Sequence, residues 1–157
     1  MSDQSPSDKV IDPRSFSFGV VAARYNESLV EALLERVTSS LCEDGQPAAL
    51  VVERVPGSHE IPSAMSLMIE ARPFSCLVGL GVVIKGATSH HHLVAESAGH
   101  AFQSLVVRHG VPIINGLVVT EDEDSAAERI TGRLDRGREF AKAALEMAQL
   151  REKWTKT

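Results

Sequence analysis

The sequence is short of aromatic residues, cysteine and long apolar runs, and each shortage removes a class of function. Aromatics make up 4% of the 157 residues, with one Trp and one Tyr. That is too few to build a platform on which successive bases of a single strand could stack. Acidic residues outnumber basic ones, 21 to 16, and the formal net charge is −5. A general nucleic-acid binder needs a basic face, so no such partner is expected. The two cysteines, Cys42 and Cys76, are far apart and lack metal-ligand spacing. They make no disulfide framework and suit a reducing cytoplasm. No apolar run approaches the ~18 residues of a membrane span, and residues 1–15 contain no apolar stretch of signal-peptide type. Two nucleotide signatures are missing as well. Gly79-x-Gly81 followed by Gly86 has the wrong spacing for a dinucleotide fingerprint, and Lys85 precedes Gly86-Ala87-Thr88, so the stretch is not a P-loop.

What is present is an alternation of apolar, strand-type runs with helical periodicity. Residues 1–15, rich in Ser, Asp and Pro, read as a flexible N-terminal segment, and residues 16–157 as one domain. Strands are expected at Phe16 to Ala23, Ala49 to Val55, Cys76 to Lys85 and Pro112 to Thr120. Helices are expected from Asn26, read as an N-cap, to near Gly45, and at Ile61 to Arg72, Ser89 to His109, Ser125 to Leu134 and Arg138 to Trp154. Glu121 to Asp124 reads as an acidic loop. Strands that are nearly all apolar and alternate with helices predict a four-stranded parallel sheet with helices on both faces, an α/β three-layer sandwich.

In such sheets ligands sit at the carboxyl ends of the strands. Those ends present Arg24-Tyr25-Asn26, Pro56-Gly57-Ser58-His59-Glu60, Gly86-Ala87-Thr88-Ser89-His90, and Thr120 with the acidic loop. The third end is the most informative. A buried strand feeds a small-residue turn and then a helix N-terminus, whose free N–H groups and dipole favour an anion. Three histidines, His90, His91 and His92, open that helix. Histidine titrates near neutral pH, so a phosphate cradle with an acid/base group beside it is the expected site. Consecutive helical positions diverge by ~100°, so these three side chains cannot converge on one metal ion.

Together, Arg24-Tyr25-Asn26, Pro56-Gly57-Ser58-His59-Glu60-Ile61-Pro62, the run from Gly81 to His90, and Glu146-Met147-Ala148 resemble the 6,7-dimethyl-8-ribityllumazine synthase family, colinearly from about Phe18 to Leu150. The resemblance implies a flavodoxin-like sandwich that assembles into pentamers or multiples of them, with sites at subunit interfaces. It implies condensation of 5-amino-6-ribitylaminouracil with 3,4-dihydroxy-2-butanone 4-phosphate by imine formation, phosphate elimination and ring closure, with no metal or organic cofactor. It further implies Tyr25 as the ring that stacks on the pyrimidine, with Asn26, Gly57, Ser58, His59, Glu60, Val83, Ile84, Lys85 and Asn115 as other substrate contacts. Leu117 and Val118 would line the ring site beside Asn115. Gly86, Ala87, Thr88, Arg129 and Arg136 would bind phosphate, and His90 would transfer protons. The competing reading of Arg129 is surface pairing, because it lies four residues from Arg133 on a helix next to acidic neighbours. The chain carries His59 and His91 where the family usually has aromatics, and His92 where it usually has an acid. A second reading, a non-catalytic scaffold that binds ribityl-pyrimidine or flavin, stays open on the sequence alone.

Overall fold

The computed structural model describes Ser7 and residues 9–156. Four strands, β1 (Ser17–Ala23), β2 (Ala49–Val55), β3 (Cys76–Ile84) and β4 (Ile113–Thr120), form one sheet in the order β2-β1-β3-β4. All three pairings are parallel, with Val20 opposite Val52 and Val78, and Gly79 opposite Asn115. Five α-helices connect and cover them: α1 (Glu27–Leu41), α2 (Ile61–Ala71), α3 (His90–His109), α4 (Glu123–Ile130) and α5 (Arg136–Thr155). A short 3-10 turn at Ser58–Glu60 precedes α2. The expected flavodoxin-like α/β sandwich is the observed architecture.

The pleat of β1 divides the core. Phe18, Val20 and Ala22 face Leu33, Val37, Phe140 and Leu145 of α1 and α5. Val21 and Ala23 face Met65 and Phe102 of α2 and α3. Alternate residues of a strand point to opposite faces, so a run that is apolar at every position must be covered twice. β3 meets that condition most fully, with eight of its nine residues buried. Two of its positions, and one on β4, admit little besides hydrogen on the Cα. A Cβ at Gly79 would meet Phe102 at 2.9 Å, one at Gly116 on β4 would meet the Gly79 carbonyl at 2.6 Å, and one at Gly81 would run into the Ser58 hydroxyl. Burial also pushes the Cys76 thiol far above its ordinary pKa, so it is no nucleophile.

The structure departs from the sequence expectation at several helix starts. Asn26 holds the expected N-cap position of α1, but its side chain makes no cap bond. It adopts the left-handed conformation, and its Nδ2 donates instead to the Val82 carbonyl at the end of β3, 2.8 Å away. The acidic run 121–124 is only half a loop, because Asp122 accepts from the Ser125 N–H at 2.7 Å and starts α4 at Glu123. Asp135 likewise caps α5, which begins at Arg136 rather than Arg138. Of the expected flexible segment 1–15, residues 1–6 and 8 lie outside the described residues. Ile11, 4% exposed, packs into the core under α1 and α5.

Asp135 also accepts from Arg36 of α1 through Nε (2.8 Å) and Nη2 (2.6 Å), joining α1 to the α5 cap. The Arg36 guanidinium holds the Asp135 carboxyl below its usual range. A carboxyl depressed in the folded state contributes stability above its unfolded pKa, and that contribution is lost as pH falls through the folded value. Asp135→Asn is therefore expected to lower the urea midpoint at pH 7. Its deficit against wild type should shrink as pH falls below about 4, where the unfolded chain's carboxyl protonates, and vanish once the folded carboxyl has also lost its charge.

Candidate active site

The carboxyl ends of β1, β2 and β3 are tied together before any ligand enters. The N–H groups of Arg24 and Tyr25 donate to the Pro56 carbonyl at 3.2 and 3.3 Å, and Arg24 also reaches the Val55 carbonyl at 2.9 Å. Asn26 crosses to Val82 as described, and the Lys85 N–H donates to the Thr120 carbonyl at 2.9 Å, joining β3 to β4. These bonds anchor the turns, so side chains on them project from a fixed frame.

A cavity of about 460 Å³ opens among these turns. Its first wall is Tyr25 and Asn26 after β1. The second is Gly57 and the Ser58–Glu60 turn after β2. The floor is Val82, Val83 and Ile84 of β3, and the last wall is Gly86, Thr88, His90, His91 and Val94 at the start of α3. Tyr25 is 74% exposed, so its ring offers a face at the cavity lip and adds little to the core. Ser58 is buried, whereas His59 and Glu60 are exposed and can meet a hydroxylated chain. The bare Cα of Gly57 keeps Glu60 and Tyr25 close, since a Cβ there would meet Glu60 Oε2 at 3.0 Å and Tyr25 Cδ2 at 3.3 Å. A larger depression of about 630 Å³ lies along Glu31, Glu35, Thr38 and Val52. It has acidic walls and stands away from the strand ends, so it lacks the chemistry of an anion site.

Not every expected contact meets in this cavity. Lys85 pairs with Glu121 at 2.5 Å and holds that carboxyl below its usual range, with smaller contributions from His91 and His92. Ala87 is exposed on the turn without lining the cavity. Asn115 sits midway along β4 and its Oδ1 accepts from the Leu117 N–H at 3.1 Å. Arg129 donates to the Ser125 carbonyl and lines a separate pocket of about 240 Å³ with His91, His92, Thr120 and Glu121. Arg136 is 7% exposed and its guanidinium donates to Glu139 within the first turn of α5.

The residue that sequence reasoning underrated is His91. It is 8% exposed, forms part of both the main cavity and the Arg129 pocket, and packs on the His92 ring at 4.0 Å between centroids. Its Nδ1 stands 3.0 Å from the Thr88 carbonyl oxygen. A carbonyl only accepts, so Nδ1 carries a hydrogen and donates it. Nε2 is buried with no hydrogen-bond partner among the described residues. A buried polar atom left unpaired costs about 1–3 kcal/mol.

Residues 15–152 match the 6,7-dimethyl-8-ribityllumazine synthase family. The chain belongs to that family. Among its relatives, the 6,7-dimethyl-8-ribityllumazine synthase of Polaromonas sp. (strain JS666) is 37% identical over 156 residues, covering 95% of each chain. The one from Nitrosomonas europaea is 36% identical over 144 residues, covering 91% of this chain and 86% of the relative. The one from Paracidovorax citrulli is 34% identical over 152 residues, covering 96% of each.

The Gly81–Ser58 contact gives a test of how the cavity is framed. Gly81→Ala should collide with the Ser58 hydroxyl and with Leu117 Cδ2 at 2.9 Å, lowering the urea midpoint by an amount equivalent to about 1–3 kcal/mol. Gly81→Ala combined with Ser58→Ala should recover part of that loss, a non-additivity that a double-mutant cycle reads directly.

Proposed function

We propose that this chain condenses 5-amino-6-ribitylaminouracil with 3,4-dihydroxy-2-butanone 4-phosphate, giving 6,7-dimethyl-8-ribityllumazine, phosphate and water. The observation that carries the reading is one cavity walled by an exposed aromatic, a Ser-His-Glu turn, and a glycine turn at the N-terminus of α3 with His90 beside it. Family membership gives the reaction; the cavity supplies groups suited to each part of it.

The pyrimidine stacks on Tyr25, whose face offers apolar area in an offset geometry. The ribityl hydroxyls meet Ser58, His59 and Glu60, with Asn26 and Gly57 holding the turns and Val83 and Ile84 forming the apolar floor. The phosphate sits at Gly86, Ala87 and Thr88, where backbone N–H groups and the dipole of a 20-residue helix favour an anion. Holding the two substrates side by side supplies much of the acceleration by itself. The substrate amine attacks the ketone carbon, water leaves and an imine forms. Proton loss from the butanone carbon skeleton then expels phosphate by breaking its C–O bond. The second amine, which bears the ribityl chain, closes the ring with loss of another water. His90 moves protons in these steps.

Arg129, Lys85 and Asn115 lie outside this chain's own cavity. Their proposed substrate contacts are made across an interface between copies, in a homo-oligomer built of pentamers. Arg129 brings a guanidinium fork suited to phosphate. Arg136 would have to give up Glu139 to join it, so the proposal rests on Arg129. The reaction uses small-molecule substrates in the cytoplasm, a setting that suits the free thiols of Cys42 and Cys76. Among the described residues no helix is long and apolar enough to cross a membrane.

His90→Ala should lower kcat by about 10²–10⁴ while the protein stays folded and assembled, as read by the fluorescence of the lumazine product. An unchanged rate would remove His90 from the chemistry. A variant that sediments as a monomer should be inactive, and an active monomer would overturn the shared site.

A further inference from the structure

The turn that receives the phosphate is weakly held from outside. Gly86 to Ser89 are exposed, and no atom stands within 4 Å of where a Cβ on Gly86 would be. Ser89, at the N-cap of α3, makes no side-chain cap bond, whereas Asp122 and Asp135 cap α4 and α5 through their carboxylates. A phosphate-binding turn needs its N–H groups set in advance, since a peptide plane that rotates presents a carbonyl dipole to the anion instead.

The restraint comes from within. His91 is buried, and its Nδ1–H donates to the Thr88 carbonyl at 3.0 Å. The peptide bond that follows Thr88 is trans. In a trans peptide the C=O and N–H vectors are opposed, so fixing the carbonyl toward the buried ring turns the Ser89 N–H away from it, toward the open side of the turn. We propose that His91 is a positioning residue whose Nδ1–H clamps the Thr88 carbonyl inward and so keeps the turn's N–H groups presented to phosphate. This rests on the phosphate reading given above.

The environment of the ring supports that role over a purely packing one. Its face lies on His92, and Glu121 from the β4 end and Arg129 from α4 share a pocket with it. Nε2 finds no partner among the described residues. A phenyl ring would fill the same space without burying an unpaired polar atom, so what histidine adds at this position is the Nδ1 donor.

The test compares the assembled wild-type protein with His91→Asn, His91→Gln and His91→Phe. Asn can place an amide N–H near the position of Nδ1, Gln places one nearer Nε2, and Phe keeps the ring alone. Two quantities are read: the Kd of inorganic phosphate by calorimetry, and kcat with both KM values in steady state. Phe and Gln should weaken phosphate binding and raise the KM of the phosphate-bearing substrate by about tenfold, the scale of one well-formed hydrogen bond. kcat and the KM of the pyrimidine should stay within about twofold, and Asn should remain within about twofold on every measure. The clamp is overturned by a Phe variant that binds phosphate as wild type does, by rescue from Gln in place of Asn, or by equal loss in all three. If the Phe variant does not fold, the Asn and Gln pair decides. Wild-type protein that binds phosphate but makes no lumazine would sink the catalytic reading while the calorimetric comparison still tested the clamp. Wild-type protein that binds no phosphate would sink the clamp.

Discussion

Strand β3 is paired on both edges and covered on both faces, and the cavity, the glycine turn and α3 all hang from its carboxyl end. Its backbone N–H and C=O groups have β1 on one side and β4 on the other. Moving that end by one residue would turn every buried side chain to the opposite face, so register is fixed strongly. The glycines of the sheet matter for the same reason. Gly79 lets Phe102 of α3 approach β3, Gly116 lets β4 lie against the Gly79 carbonyl, and Gly81 leaves room for Ser58. The position of the site is thus a consequence of how closely helices and neighbouring turns can approach one central strand.

Around that frame the side chains divide into those that close the protein and those that leave the cavity open. Asn26 stands at the N-cap of α1, but its side chain crosses to Val82, which trades a local cap bond for one that joins β1's turn to β3. Lys85 and Glu121 join the ends of β3 and β4 in an exposed pair, which contributes little stability. What the pair can do is hold a cation and a carboxylate next to the histidines of α3. Tyr25, His59, Glu60 and His90 remain outward-facing. A domain with seven aromatic rings in all, most of them phenylalanine in the core, leaves its sole tyrosine at the cavity lip.

Much of this was legible in the sequence because the strands are unusually plain. Ala49 to Val55 is matched residue for residue, and β1, β3 and β4 differ by one residue at an end. Apolar, β-branched runs of this length in alternation with helical periodicity leave few other folds. The cavity walls were legible because the sheet rule puts ligands where strands end, and Tyr25, the Ser58 turn and His90 stand there. What escaped was set by tertiary partners. Nothing local says that Asn26 prefers Val82 to its own helix, that Arg136 turns to Glu139, or that Ile11 leaves a polar segment to enter the core. His91 escaped for a geometric reason: one step past His90 along a helix is a rotation of ~100°, enough to turn a ring from solvent to interior. The start of α4 was readable in principle, from an Asp three residues before a Ser, but the acidic run around it imitates a loop.

The two thiols sit at opposite extremes of access. Cys42 follows α1 and is partly exposed, while Cys76 opens β3 and is sealed between two helical layers. A thiol-specific reagent added to the native protein therefore meets two clocks in one molecule. The first reports the surface, and the second advances only when the central strand opens, so its labelling rate records how often the sheet comes apart.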